Sequence, residues 1–245
     1  MYDAPLNRLI RRLEVDTAPL SEQERDAIAS LPLTIRDVAA DQDIVREGER
    51  PSQCCVVIEG FQCRYKMLRD GERQIMSFHV PGDIPDLQSL FLSTMDHSLG
   101  TITPNRVAFI AHEPLRKLIR QQPGIAERLW RETLIDASVF REWITNVGSR
   151  DAYTRIAHVI CEMYVRLHAV GLTNGTTFQF PITQTELADA TGLSTVHVNR
   201  SIQQIRADGL IVWERGVCTI PDLKALQDAG MFEPSYLHMR GNVAA

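Results

Sequence analysis

The stretch from Phe180 to Ile220 constrains this chain most. Thr183-Gln184-Thr185-Glu186 reads as a capping box, in which a threonine hydroxyl and a glutamate three residues on each accept the other's backbone N–H at a helix start. Leu187, Ala188 and Ala190 follow as an apolar face. Gly192 then stands where a helix ends in the left-handed conformation that glycine adopts at little cost. Ser194 is placed to cap a second helix, Thr195 to Ala207, whose Val198, Ile202 and Ile205 recur three or four apart. Asp208-Gly209, a strand Leu210–Trp213, a turn at Arg215-Gly216 and a return strand Val217–Ile220 form a hairpin behind it. Two short helices around so tight a turn, with a hairpin after them, describe a winged helix-turn-helix.

In such a motif the second helix enters the DNA major groove and presents its first turns to base edges. Thr195, Val196, His197, Asn199 and Arg200 stand there, with Gln203 one turn on, while Val198 faces inward by spacing. Arginine bonds guanine in bidentate fashion, asparagine pairs with adenine and valine meets a thymine methyl, so Arg200, Asn199 and Val196 are expected to read bases. Ser201, Gln204 and Arg206 are expected at phosphates, as are Thr183 and Gln184 from the start of the first helix. Ser194, at the cap, belongs to the same DNA-facing set. The competing readings are a merely solvated helix face, or a winged helix that binds protein.

Upstream, from Leu33 to about Ala111, short apolar runs alternate with turn residues. The expected strands are Thr34–Val38, Asp43–Val45, Cys54–Ile58, Phe61–Met67, Arg73–Val80, Ser98–Thr103 and Arg106–Ala111. Asp70-Gly71 between two of them is a hairpin signal. Many short strands at this spacing imply an antiparallel barrel or jelly roll. Ahead of it, Ser21 and Glu24 make a second capping box, and Met1 to Leu13 reads as a surface helix rather than a signal peptide.

A long helix then runs from Pro123 to Val147. Ala126, Trp130, Thr133, Ala137, Phe140, Ile144 and Val147 alternate spacings of four and three, the seam that zips two helices together. Ile125, Leu129 and Trp143 form a flanking stripe suited to packing on the chain's own barrel. The dimer interface is therefore expected at Trp130, Thr133, Ala137, Phe140, Ile144 and Val147. Gly148-Ser149 interrupts the pattern, and Asp151–Val170 reads as a further helix.

In order and spacing these segments resemble the Crp/Fnr family, the cyclic-AMP receptor protein and the fumarate-nitrate reduction regulator with their relatives. In the barrel the likeness rests on Ile44-Val45-Arg46-Glu47-Gly48-Glu49, Val57-Ile58-Glu59-Gly60 and Pro81-Gly82-Asp83-Ile84. Beyond it, Ile182 through Ala188 and Gly192-Leu193-Ser194 through Arg200 carry it. The resemblance spans about Ser21 to Gly230. It implies an α+β chain with an N-terminal cyclic-nucleotide-binding-like antiparallel β-roll, a long dimerisation helix and a C-terminal winged helix-turn-helix. It further implies a homodimer on a promoter palindrome in double-stranded DNA, with RNA polymerase as partner.

The departures matter as much. Members that bind cyclic AMP carry Gly-Glu-Leu after the Pro-Gly-Asp turn, and later an arginine before a small residue. Here those stretches read Ile84-Pro85-Asp86-Leu87 and Asp96-His97-Ser98-Leu99. Asp86, Leu87, His97 and Ser98 thus outline the expected effector pocket. His97 lacks the guanidinium fork that grips a cyclic phosphate, which argues against cyclic AMP. No cysteine precedes Cys54, which argues against the iron–sulfur cluster of oxygen-sensing relatives. Lone histidines such as His79 and His97 are poor grounds for a haem, so no cofactor is expected and the effector stays unnamed.

Five scattered cysteines without a C-x-x-C pair give neither a disulfide framework nor a zinc site, and fit a reducing cytoplasm. The alternative to a ligand-bound sensor is an effector-independent regulator controlled by its own abundance or by oxidation of a cysteine, and Cys218, in the wing, is then the thiol of interest. No apolar run reaches membrane-spanning length, and no membrane partner is expected. A net charge of −5 leaves room for a local basic face. His79, His97 and His112 lack the register of a cupin metal site, so an enzyme is not expected. The expected division is an N-terminal helix over 1–20, a sensor β-roll over 21–122, a dimerisation helix over 123–148 and the DNA-binding domain over 149–245.

Overall fold

The computed structural model describes residues 5–239, so the first residues of the expected N-terminal helix and the last of the DNA-binding domain lie outside it. The chain divides into two compact units. The first comprises residues 1–66 and 77–137, the second residues 67–76 and 138–245.

The first unit opens with α1 (Asn7–Leu13) and α2 (Glu22–Ala29). The Ser21–Glu24 capping box forms as expected. Helix α1 is more than a surface helix: Leu9 and Leu13 enter the core, and buried Arg12 donates to Glu132 at 2.8 Å. The strands are β1 (Thr34–Val38), β2 (Asp43–Val45), β3 (Gln53–Glu59), β4 (Gln62–Met67), β5 (Arg73–His79), β6 (Ser98–Thr101) and β7 (Asn105–Ala111). They pair as two sheets, β1-β7-β3 and β2-β6-β4-β5. In β3, Cys54 through Val57 are all buried, so both faces of that strand are covered. A 3-10 turn at Leu87–Leu90, with no counterpart in the sequence reading, crosses to β3 and adds Leu87 and Leu90 to the core. Helix α3 (His112–Gln121) follows β7 and buries Leu115 and Leu118.

Helix α4 (Pro123–Ser149) is unbroken and runs two residues past the expected end, because Gly148 and Ser149 weaken the apolar pattern without removing backbone donors. Ile125, Leu129 and Ile135 are buried in the first unit, Val139 and Trp143 in the second.

In the second unit, α5 (Ala152–Ala169) is buried along most of its length. Around it stand α6 (Gln184–Thr191), α7 (Thr195–Ala207) and α8 (Leu223–Ala229). The wing is larger than expected. Its strands β10 (Val212–Glu214) and β11 (Val217–Thr219) continue into β9 (Thr177–Gln179) and β8 (Thr173–Asn174), making a four-stranded sheet. Residues 67–76 belong to this unit: Arg73 Nε donates to Asp189 Oδ2 at 2.8 Å, and Gln74 Nε2 to the Asp189 carbonyl at 2.7 Å.

The polar centre of this unit is Glu162, fully buried on α5. Its carboxylate accepts from Trp143 Nε1 (2.9 Å), Tyr236 Oη (2.7 Å) and Arg166 Nη1 (3.3 Å). A buried carboxylate is tolerable only when several donors replace its water. Replacing Glu162 by Ala removes the acceptor those three groups share. It is expected to cost about 3–5 kcal/mol, read as a fall in the urea midpoint of the unit.

Candidate nucleic-acid interface and sensor interior

The two helices of the motif are held as their sequence demands. Thr183 Oγ1 accepts from Glu186 N, and Glu186 Oε2 accepts from Thr183 N, completing the box at the start of α6. Gly192 closes the helix at φ +64°, left-handed as expected. Ser194 Oγ accepts from His197 N and starts α7. Val198, Ile202 and Ile205 are buried beneath it.

The opposite face of α7 carries Thr195, Val196, His197, Asn199, Arg200, Gln203 and Gln204, all exposed. Thr183, Gln184 and Ser194 are exposed beside them. Asn199 Nδ2 donates to Gln184 Oε1 at 3.1 Å, so one base-reading candidate is already steadied by a residue of α6. Two expectations change. Ser201 is buried and faces the core, because it falls on the inward side with Val198 and Ile205. Arg206 is half-buried and turned back, its Nη2 donating to the Trp213 carbonyl, so here it braces the wing rather than reaching out to a phosphate.

An open groove of about 390 Å³ lies between the start of α6 and the wing. Arg206, Trp213 and Arg215 line it, with Thr183 and Gln184 opposite. Arg215 was passed over in the sequence as a turn residue. Residues 215 and 216 are the two central positions of a tight hairpin turn, and both have positive φ, +49° and +78°. A turn of this kind favours glycine or asparagine, and a left-handed backbone costs an arginine roughly 1–2 kcal/mol. Arg215 is exposed at this position, so its guanidinium is available beside the groove.

The residues expected to form an effector pocket are all turned to internal use. Asp86 is buried and its Oδ1 accepts from Cys55 N at 2.8 Å. Leu87 is in the core. His97 is bonded on both ring nitrogens, to Asp96 (2.8 Å) and Gln88 (3.3 Å). Ser98 Oγ accepts from Glu47 N at 3.0 Å. His79 is likewise engaged twice, by Ser77 (3.0 Å) and Asp83 (3.3 Å), and His112 Nε2 meets Ser89 Oγ at 3.0 Å. Among the described residues no group of three His, Cys, Asp or Glu is placed to hold a metal ion.

The thiols are poorly suited to redox chemistry. All five cysteines are buried. Burial pushes the Cys54 and Cys218 thiols up to about 12, and those of Cys55 and Cys161 higher still. Thiolate is the reactive form, and Cys218 behaves here as a small apolar side chain. Among the described residues no helix is long and apolar enough to cross a membrane.

Comparison with known proteins agrees with this geometry. Residues 35–122 match the cyclic nucleotide-binding domain, and residues 154–229 the Crp-like helix-turn-helix domain. The chain is 27% identical to the transcriptional activator protein FnrL of Cereibacter sphaeroides over 80% of each chain. It is also 27% identical to the nitrogen fixation regulation protein FixK of Bradyrhizobium diazoefficiens, over 68% of this chain and 69% of that one. Its fold is similar to that of FixK2 from Bradyrhizobium japonicum, with a TM-score of 0.74 at 24% identity, covering 81% of this chain and 98% of that one.

Two outcomes are expected. Arg215→Gly should stabilise the second unit by about 1 kcal/mol while weakening DNA binding. It should also lower the slope of log affinity against log salt by about 1, measured by fluorescence anisotropy. The second concerns pH. Burial pushes the Asp86 carboxyl from 3.8 up to about 7, so the folded chain binds the extra proton and stability is lost as pH rises from about 4 to 7. His79 acts oppositely: burial pushes it from 6.5 down to about 4, so stability is gained as pH rises through that window. Asp86→Asn removes only the first effect. Relative to wild type, that variant should therefore gain roughly 4 kcal/mol between pH 4 and 8 in urea unfolding.

Proposed function

The chain belongs to the Crp/Fnr family, and from that premise we propose that it acts as a homodimer on an inverted-repeat promoter site. It is a sequence-specific DNA-binding transcription regulator with an N-terminal sensor β-roll. The observation that carries this reading is the exposed face of α7. There Val196, Asn199 and Arg200 stand on a capped helix opposite a buried inner side of Val198, Ser201, Ile202 and Ile205. Arg200 takes guanine, Asn199 adenine and Val196 a thymine methyl, while Thr183, Gln184, Ser194 and Gln204 lie toward phosphates.

The homodimer rests on α4. Part of its second stripe is exposed, at Trp130 (69%), Leu134 (54%), Ile144 (72%) and Thr133, while Ala137, Phe140 and Val147 of the same seam are half-buried. Side chains of this size, at coiled-coil spacing on a helix whose other stripe is already buried, suit a second copy of the same helix. The name of FnrL, a transcriptional activator, favours activation, and RNA polymerase is the further partner that the family resemblance implies. A purely protein-binding winged helix would have no use for a base-reading set on α7.

The test is selection of bound sequences from a random DNA pool by the full chain. An inverted repeat with half-site centres about one helical turn apart is expected. Arg200→Ala should cost about 1–3 kcal/mol and relax the preference at one position of each half-site. Ile144→Asp should yield a folded monomer by sedimentation and abolish the paired spacing. No enrichment by the folded wild type, with or without a small-molecule extract of cells, would overturn the reading.

A further inference from the structure

Where an effector would sit, the chain supplies a cation of its own. Arg64, on β4, is only 3% exposed. Its Nε and Nη2 both donate to the Pro85 carbonyl, at 2.7 and 2.5 Å, and its Nη1 donates to Asp136 Oδ2 on α4 at 2.5 Å. One guanidinium thus joins a strand, the loop after the Pro81-Gly82-Asp83 turn and the long helix. Arg64, Pro85 and Asp136 all lie within the first unit.

The other titratable groups near it are His79 on β5, His97 ahead of β6, and Asp86 in the loop. Burial favours the neutral form of each, and Arg64 pushes the two histidines the same way. Asp86, Leu87, His97 and Ser98 are meanwhile engaged within the chain, so a foreign ligand would first have to break those contacts.

We propose that Arg64 serves as a built-in effector: by holding Pro85 to Asp136 it fixes α4 against the β-roll, so DNA competence requires no bound small molecule. Asp136 lies between Leu134 and Ile144, the exposed apolar residues offered to a second copy. Pinning it fixes how that stripe is presented. A buried ion pair is a weak source of stability, and a geometric specification of this sort is a better-attested reason for having one. Arg64 and Asp136 are positioning residues, and the inference rests on the DNA-binding reading above.

The test compares ligand-free wild type with Arg64→Met, Asp136→Asn, the double variant and Arg64→Lys. DNA affinity is measured on dimer shown to be folded by circular dichroism and sedimentation. Each of Arg64→Met and Asp136→Asn should weaken binding on the order of tenfold. The double variant should be no worse than the poorer single one, and Arg64→Lys should recover part of the loss. Asp136 is one-third exposed, so its variant should fold even if Arg64→Met does not. Wild-type affinity in folded Asp136→Asn dimer, with only its melting temperature lowered, would overturn the proposal. So would wild-type enrichment of DNA that appears only with a small-molecule extract, an outcome that leaves the DNA-binding reading intact. Enrichment under neither condition would overturn both.

Discussion

Helix α4 is the constraint on which the rest depends. It is a single hydrogen-bonded rod of 27 residues, about 40 Å long, and it carries two apolar stripes. Each stripe must be removed from water for the helix to be stable in this form, since propensity alone contributes little. One is covered within the chain, by the β-roll along its first half and by α5 and its neighbours along its second. The other carries the exposed Trp130, Leu134 and Ile144.

Glu162 in the second unit and Arg64 in the first are held in the same way. Glu162 gathers donors from Trp143, Arg166 and Tyr236, and Arg64 gathers acceptors from Pro85 and Asp136. In each case the partners come from different elements, so the network selects one arrangement among several that would bury similar apolar area. Hydrophobic contact is tolerant of small slips in register, whereas a guanidinium shared between a carbonyl and a carboxylate is not.

Most of the DNA-facing motif was legible because its signals are local. Thr183 and Glu186, Gly192 and Ser194 each act within a few residues, and all take the conformations their chemistry dictates. The strands of the β-roll were legible to within a residue or two for the same reason. What escaped was of two kinds. The β8–β9 hairpin turns at Gly175-Thr176, where the glycine is a readable signal, but its strands are too short to show periodicity. Helix α8 has its cap in Asp222 and was equally readable. The rest depends on distance in sequence: Arg64 meets Asp136 across 72 residues, and Arg12 meets Glu132 across 120. No spacing rule in one chain connects such pairs. Ser201 was itself readable as inward-facing, since it stands three residues after Val198 and four before Ile205.

The cysteines, inert as chemistry, have another consequence. Cys54, Cys55 and Cys63 lie inside the β-roll, while Cys161 and Cys218 lie inside the winged helix. A thiol reagent can reach any of them only when the surrounding core opens. Their labelling rates therefore time the opening of the two units separately, in one molecule and without an added probe. Binding of DNA would slow the second pair alone if it steadies only the winged helix, and all five if the steadying travels along α4.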